Sequence, residues 1–230
     1  ERGARSAAGW DSVYGQGEAL ESLRLSLGRG ETAHSYLFTG PRGVGKYAAA
    51  CVFAAALLSP DGEPEGGEAL RRVREGVHPD LVMLEPEGNS IRTSQVLEMQ
   101  RELNLKPVEA GRKVAVVNEA EAMNTEAANT LLKTLEEPPG KAVLILVSSS
   151  PERLPDTVLS RCYQVRFRRL SPGEIRDYLV GERGLGEEEA ERLTRLSGGI
   201  FSKALSFLDD VERLDRRRES LEMAARLRDA

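Results

Sequence analysis

The sequence predicts an α/β fold, a parallel sheet with helices on both faces, followed by a small all-helical domain. Three observations predict it. Short apolar runs alternate with helical segments through the first 168 residues, the pattern of crossover-connected parallel strands. One strand runs directly into a glycine-rich loop and an alanine-rich helix. After Phe167 the strand signals stop. Residues 1–168 are therefore expected to form the α/β domain and 169–210 the helical one. Residues 211–230 read as a charged amphipathic helix with Leu214, Leu221 and Leu227.

The elements follow in order. Glu18 to Leu27 has apolar residues at helical spacing (Ala19, Leu20, Leu23, Leu27), with Gly28 to Gly30 as a stop. Ser35 to Thr39 reads as a buried strand, Gly40 to Lys46 as the loop, and the helix after it runs through Leu58. Pro60 to Glu68, rich in Gly, Pro and Glu, is expected to be an exposed, mobile loop. A charged helix (Ala69 to Glu75) precedes a strand at Leu81 to Leu84, and Ser94 to Leu105 is helical. Lys113 to Asn118 is the third strand and Glu126 to Glu137 a helix stopped by Pro138-Pro139-Gly140. Ala142 to Val147 and Gln164 to Phe167 complete the strands. Ser171-Pro172-Gly173-Glu174 opens a helix, and Glu187 to Leu196 and Ser202 to Leu208 continue the helical pattern.

Composition excludes several classes. With 230 residues and 40% hydrophobic content, the chain can bury a core. Its longest apolar run, Ala48 to Leu58, is too short to cross a bilayer, and Glu1 to Arg5 lacks the apolar core of a signal peptide. A soluble cytoplasmic protein is expected. The net charge of -5 argues against a protein that holds DNA alone by counterion release. Cys51 and Cys162 cannot complete a zinc site by themselves and are expected to be free, buried or half-buried thiols. His34 and His78, each beside a strand, are expected to be satisfied structural histidines.

The chemistry centres on Gly40, Gly43, Gly45 and Lys46. Glycines at this spacing let backbone N–H groups converge on phosphate oxygens at a helix N-terminus, and Lys46 would reach the terminal phosphates. The alternative is a glycine turn without chemistry. The residue after the lysine should carry a short hydroxyl for Mg²⁺, and here it is Tyr47, whose phenol cannot put oxygen in that place. A strand ending in two acids should follow; Val114 to Val117 ends instead in Asn118-Glu119. Asn118 brings no charge where a metal-facing Asp belongs. Glu119 is either a remaining base or a solvated carboxylate.

The run Ala127-Ala128-Asn129-Thr130-Leu131-Leu132-Lys133-Thr134-Leu135-Glu136-Glu137-Pro138-Pro139, followed by Ser160-Arg161-Cys162, resembles the bacterial DNA polymerase III clamp-loader family of AAA+ proteins. The likeness extends from Gly15-Gln16 through His34 to Phe38 and His78-Pro79-Asp80, to about Leu208. It implies a P-loop AAA+ sheet followed by a helical lid. It also implies two candidate types. Motor subunits of the tau/gamma type are expected to have Thr or Ser after the lysine, Asp at the end of the second strand of the motif, and Arg in the lid run Gly199 to Leu205. This chain has Tyr47, Asn118 and Ser202 there, losses that resemble the non-motor delta-prime type. A working tau/gamma-type ATPase is the alternative, and another AAA+ machine such as a helicase loader a more distant one.

The resemblance further implies that Arg161 is an arginine finger, reaching into a neighbour's ATP site, against the alternative of an ordinary exposed arginine. Ser148 to Ser150 cover the sensor region and are expected to be polar strand-end residues. The family's zinc module would fall in Ser59 to Leu70, which offers no thiolate or imidazole, so no zinc is expected. No cofactor is required, although residual ATP or ADP binding by the Gly43 to Lys46 amides stays open. The implied partners are tau/gamma and delta subunits and, indirectly, the sliding clamp and primed DNA, assembled through a collar beginning near residue 211.

Overall fold

Five parallel strands form one sheet in the order β2-β3-β4-β1-β5 in the computed structural model, which describes residues 9–60, 62, 64, 68–210 and 213. They are β1 (Ser35–Thr39), β2 (Leu81–Leu84), β3 (Val114–Val117), β4 (Val143–Ser148) and β5 (Tyr163–Arg166). The helices before and between them are α1 (Gly17–Gly28), ahead of β1, then α2 (Lys46–Leu58), α3 (Glu68–Arg74), α4 (Thr93–Leu103), α5 (Thr125–Glu136) and the short α6 (Asp156–Leu159). Residues 61, 63 and 65–67 of the loop expected to be mobile lie outside the described residues. So does the helix expected over 211–230, apart from Arg213.

The unbroken apolar strands have a direct cause: both faces of the sheet are covered. Along β1, Tyr36 and Phe38 pack with α1, α2 and α3, while Leu37 packs with α4 and α5 on the opposite face. Val143, Ile145 and Val147 of β4 join the first cluster, and Leu144 and Leu146 the second. Phe53 of α2 meets Tyr36 edge-on, with ring centroids 4.8 Å apart. All but two residues of α2 are buried, so this helix is apolar all round and lacks a solvent face.

Most elements begin and end within two residues of their expected positions, and the shifts have local reasons. Helix α4 stops at Leu103, short of Leu105, because the Asn104 side chain donates to the Gln100 carbonyl at 2.6 Å and Leu105 turns out to solvent. Strand β5 begins one residue early, at Tyr163, whose ring lies edge-on to Tyr36.

A second corner of the sheet is held by Asp80, which is fully buried just before β2. Its carboxylate accepts from the backbone N–H groups of Val108, Glu109 and Ala110 at 2.7–2.8 Å and lies 3.6 Å from the buried Lys113 ammonium. His78 is buried beside it and accepts the Asp80 N–H through Nδ1, as a structural histidine should. The His34 side chain is exposed instead; that residue contributes its carbonyl, which accepts from Leu144.

Gly40 follows β1 with φ 143°, and a Cβ there would lie 2.2 Å from the Phe167 carbonyl oxygen. Gly40→Ala should therefore destabilise the domain by about 2–5 kcal/mol, combining backbone strain with overpacking. Gly28→Ala, with open space around it, is the matched control and should be close to neutral. Urea unfolding of the two variants measures the difference, and equal midpoints would show that the contact is not tight.

The chain divides into two units, Glu1–Arg168 and Arg169–Ala230. In the second, α7 (Pro172–Gly181) and α8 (Glu187–Ser197) pack with a helix over 201–210 around Ile175, Leu179, Ala190, Leu193, Ala204 and Leu208. The Ser171 hydroxyl accepts from the Glu174 N–H and the Glu174 carboxylate from the Ser171 N–H, a reciprocal cap that starts α7. Ser202 and Lys203 are exposed on the last helix.

Candidate functional site

The predicted site residues other than Arg161 gather at the carboxyl ends of the strands, where open α/β sheets bind ligands. Gly40 follows β1, Glu85 follows β2, Asn118 and Glu119 follow β3, and Ser149 follows β4. Gly43 and Gly45 take φ of 80° and 102°, and Gly45 is the residue from which α2 starts. Lys46 turns back into this loop. Its ammonium donates to the Gly40 carbonyl at 2.6 Å, the Pro41 carbonyl at 2.7 Å and the Ser149 hydroxyl at 2.9 Å. An ammonium has three N–H donors, and all three are used. Burial pushes the Lys46 pKa down to about 8, with Glu121 opposing and Arg42 adding to the shift. Ser149 is thus a partner of the loop lysine, beyond the polar strand-end role expected of it.

Tyr47 and Asn118 converge on one residue that sequence reasoning missed. The Tyr47 phenol neighbours Cys51 and Glu85, and burial together with these neighbours raises its pKa. Asn118 Nδ2 lies 3.5 Å from Glu85 Oε1, a long contact. Burial pushes the Cys51 thiol up to about 11, so it stays protonated and serves as packing. A small hard cation such as Mg²⁺ is held by short oxygen ligands in fixed geometry. The Tyr47 oxygen stands a whole ring away from the backbone, and Asn118 offers a neutral amide. These two residues do not fit the metal arrangement of a motor subunit.

Glu119 has φ 49°, a left-handed conformation rare for a residue with a Cβ, and its carboxylate pairs with Arg42 at 2.9 Å. That turn carries the chain round so that Glu121, two residues on, faces the loop. Glu121 Oε1 accepts from the Ser149 N–H at 2.9 Å, and its Oε2 is buried without a protein partner. The carboxylate acting on Lys46 is therefore Glu121. Sequence spacing gave no signal for it, because a strand-end template ends at position 119.

Arg161 lies apart from this group, in the turn between α6 and β5. Its Nε donates to Glu136 Oε1 at 2.8 Å, its Nη2 forms an ion pair with the same oxygen at 2.6 Å, and Nη1 donates to the Thr157 carbonyl at 2.9 Å. Its side chain is 35% exposed. Among the described residues no hydrogen bond or ion pair joins Arg161 to the glycine loop. Cys162 next to it packs against the α4–α5 side of the sheet, and burial pushes its thiol up to about 12. Among the described residues no cluster of His, Cys, Asp and Glu could hold a metal ion, and no helix is long and apolar enough to cross a membrane.

Comparison with known proteins bears on this geometry. The family model described as "DNA polymerase III, delta subunit" matches residues 15–171. The delta' subunit of Bacillus subtilis is 34% identical over 188 residues, and that of Pseudomonas aeruginosa 41% identical over 181. These alignments cover 80% and 75% of this chain, but only 57% and 55% of the relatives, so the chain spans little more than half their length. The tau subunit of Bacillus subtilis is 31% identical over 211 residues, covering 88% of this chain and 37% of the relative. Among solved structures, a gamma-subunit-related protein from Thermotoga maritima superposes with a TM-score of 0.56 at 25% identity, over 82% of this chain and 56% of that one. RuvB from the same organism superposes with a TM-score of 0.67 at 16% identity, over 90% and 65%, a likeness of fold alone. With the sheet order, the glycine loop and these relatives together, the chain belongs to the DNA polymerase III delta-subunit family of AAA+ clamp-loader proteins.

Proposed function

We propose that this chain acts as a delta-prime-type clamp-loader subunit, a non-motor AAA+ protein that donates Arg161 to the ATP site of a neighbouring subunit. The observation that carries the reading is the placing of Tyr47 after the loop lysine and of Asn118 at the end of β3. They stand where metal ligands are required, and neither supplies a short hydroxyl or a charge there. Phosphoryl transfer depends on positioning and charge neutralisation together, and such a site lacks both. The working context is the cytoplasm, with tau/gamma and delta subunits as partners and the sliding clamp and primed DNA reached through them. No zinc and no required cofactor belong to this reading.

The second reading, a tau/gamma-type ATPase, is favoured by one observation. Gly40, Gly43 and Gly45 keep positive φ angles, so the amide cradle is formed and ADP or ATP could still occupy it weakly. The purified chain decides between them. It should hydrolyse no ATP above background and contain no stoichiometric zinc by elemental analysis. Steady turnover abolished by Lys46→Ala would sink the non-motor reading, and about one zinc per chain, as a structural site would hold, would overturn the metal-free one.

A further inference from the structure

We infer that Glu136 is a positioning residue for Arg161, orienting the guanidinium for its encounter with a neighbouring subunit's phosphates. This rests on the finger reading above and adds to it a residue with no assigned role.

The local physics makes Glu136 hard to explain otherwise. It is the last residue of α5, where the helix macrodipole is negative and a carboxylate is disfavoured. A lysine or arginine would suit that end of the helix better. What the carboxylate gains there is Arg161, 25 positions along the chain. Both Nε and Nη2 converge on Oε1, and the Thr157 carbonyl, in α6, takes Nη1. The Ser160 hydroxyl, 3.4 Å from Nη1, completes the set. Two elements thus fix the plane of one flexible side chain.

The geometry also determines what is left over. A guanidinium carries five N–H donors in a rigid fork. The Nε edge faces Glu136, and among the described residues one N–H of Nη2 has no protein acceptor. The side chain is partly exposed, so that N–H remains open to a phosphate oxygen. An arginine alone has many rotamers, and each must be surrendered when it docks. Glu136 surrenders them in advance, leaving a cation already oriented.

The test uses the assembled clamp loader with the full-length chain and reads ATP turnover and subunit assembly. Glu136→Ala should lower kcat about 10- to 100-fold, the scale set by misplacing a catalytic group, with KM for ATP and assembly unchanged. Glu136→Gln, which keeps an acceptor for Nε–H without the charge, should recover part of the loss. In an Arg161→Ala background, Glu136→Ala should have no further effect. A wild-type or faster rate in Glu136→Ala overturns the inference, since the carboxylate would then be idle or restraining. A loss that persists at full size in the Arg161→Ala background overturns it too, since Glu136 would then act on something else. If Arg161→Ala alone leaves turnover unchanged, the finger reading fails first and this inference with it.

Discussion

Arg161→Ala is expected to lower ATP turnover at the neighbouring site by one to several powers of ten while leaving the fold intact; arginine fingers elsewhere contribute about 10³–10⁵. The effect is large because a guanidinium there would neutralise charge that develops only in the transition state. The effect on stability is small for a local reason. The pair with Glu136 is half-exposed, and exposed ion pairs contribute about 0–1 kcal/mol. Arg161→Lys should rescue poorly, because a point charge cannot reproduce the planar fork that spans Glu136 and Thr157. If other subunits fire independently the total rate falls less, so a mixed complex with one competent site is the right measurement. A mutant complex that assembles, turns over ATP and loads clamps normally would remove the proposed mechanism.

Asp80→Ala is expected to destabilise the first domain by about 3–5 kcal/mol, because it strands the buried Lys113 ammonium and leaves three backbone N–H groups without their acceptor. Burial alone would raise the Asp80 pKa, but the amides of Ala110, Val108 and Glu109, with Lys113, outweigh it and hold it below the usual carboxylate value. The depressed value fixes the sign of the pH dependence. The stabilisation is fully present above the unfolded pKa, about 3.9, and is lost as pH falls through the folded one. Urea unfolding at pH 7 and at pH 3 should therefore show wild type and Asp80→Ala converging in acid. Replacing Lys113 by Met alongside Asp80→Ala should recover part of the loss, since the stranded charge is then gone. A loss of stability that stays constant down to pH 3 would mean that the carboxylate is not the source.

The fold was legible where one physical signal dominates. Ser35 to Thr39 and Leu81 to Leu84 are apolar runs bounded by polar residues, and both became strands at the expected positions. Ser171 and Glu174 announced a helix start through a reciprocal cap that reads directly from spacing. The glycine loop was legible for the same reason, since Gly43 and Gly45 adopt angles that side-chain-bearing residues avoid. The polar wiring of the site was not legible. Glu85 and Glu121 follow strands by distances that no periodicity marks, and Glu121 faces the loop only because Glu119 turns through positive φ. Glu136 and Arg161 were each visible within a motif, but their pairing depends on where two helices end in space.

The close approach of Phe167 to Gly40 separates two demands within one short motif. The glycine answers to the sheet, because a carbonyl oxygen from the chain leaving β5 occupies the space a side chain would need. On the proposed reading the positions after it, Tyr47 among them, would answer to nucleotide chemistry. A lineage that stops hydrolysing ATP would be released from the second demand and still bound by the first. Tyrosine could then replace a small hydroxyl without penalty to folding, while any side chain at position 40 would be purged. A glycine loop inherited in this way is a fossil of architecture, and its persistence is no testimony that the engine still runs.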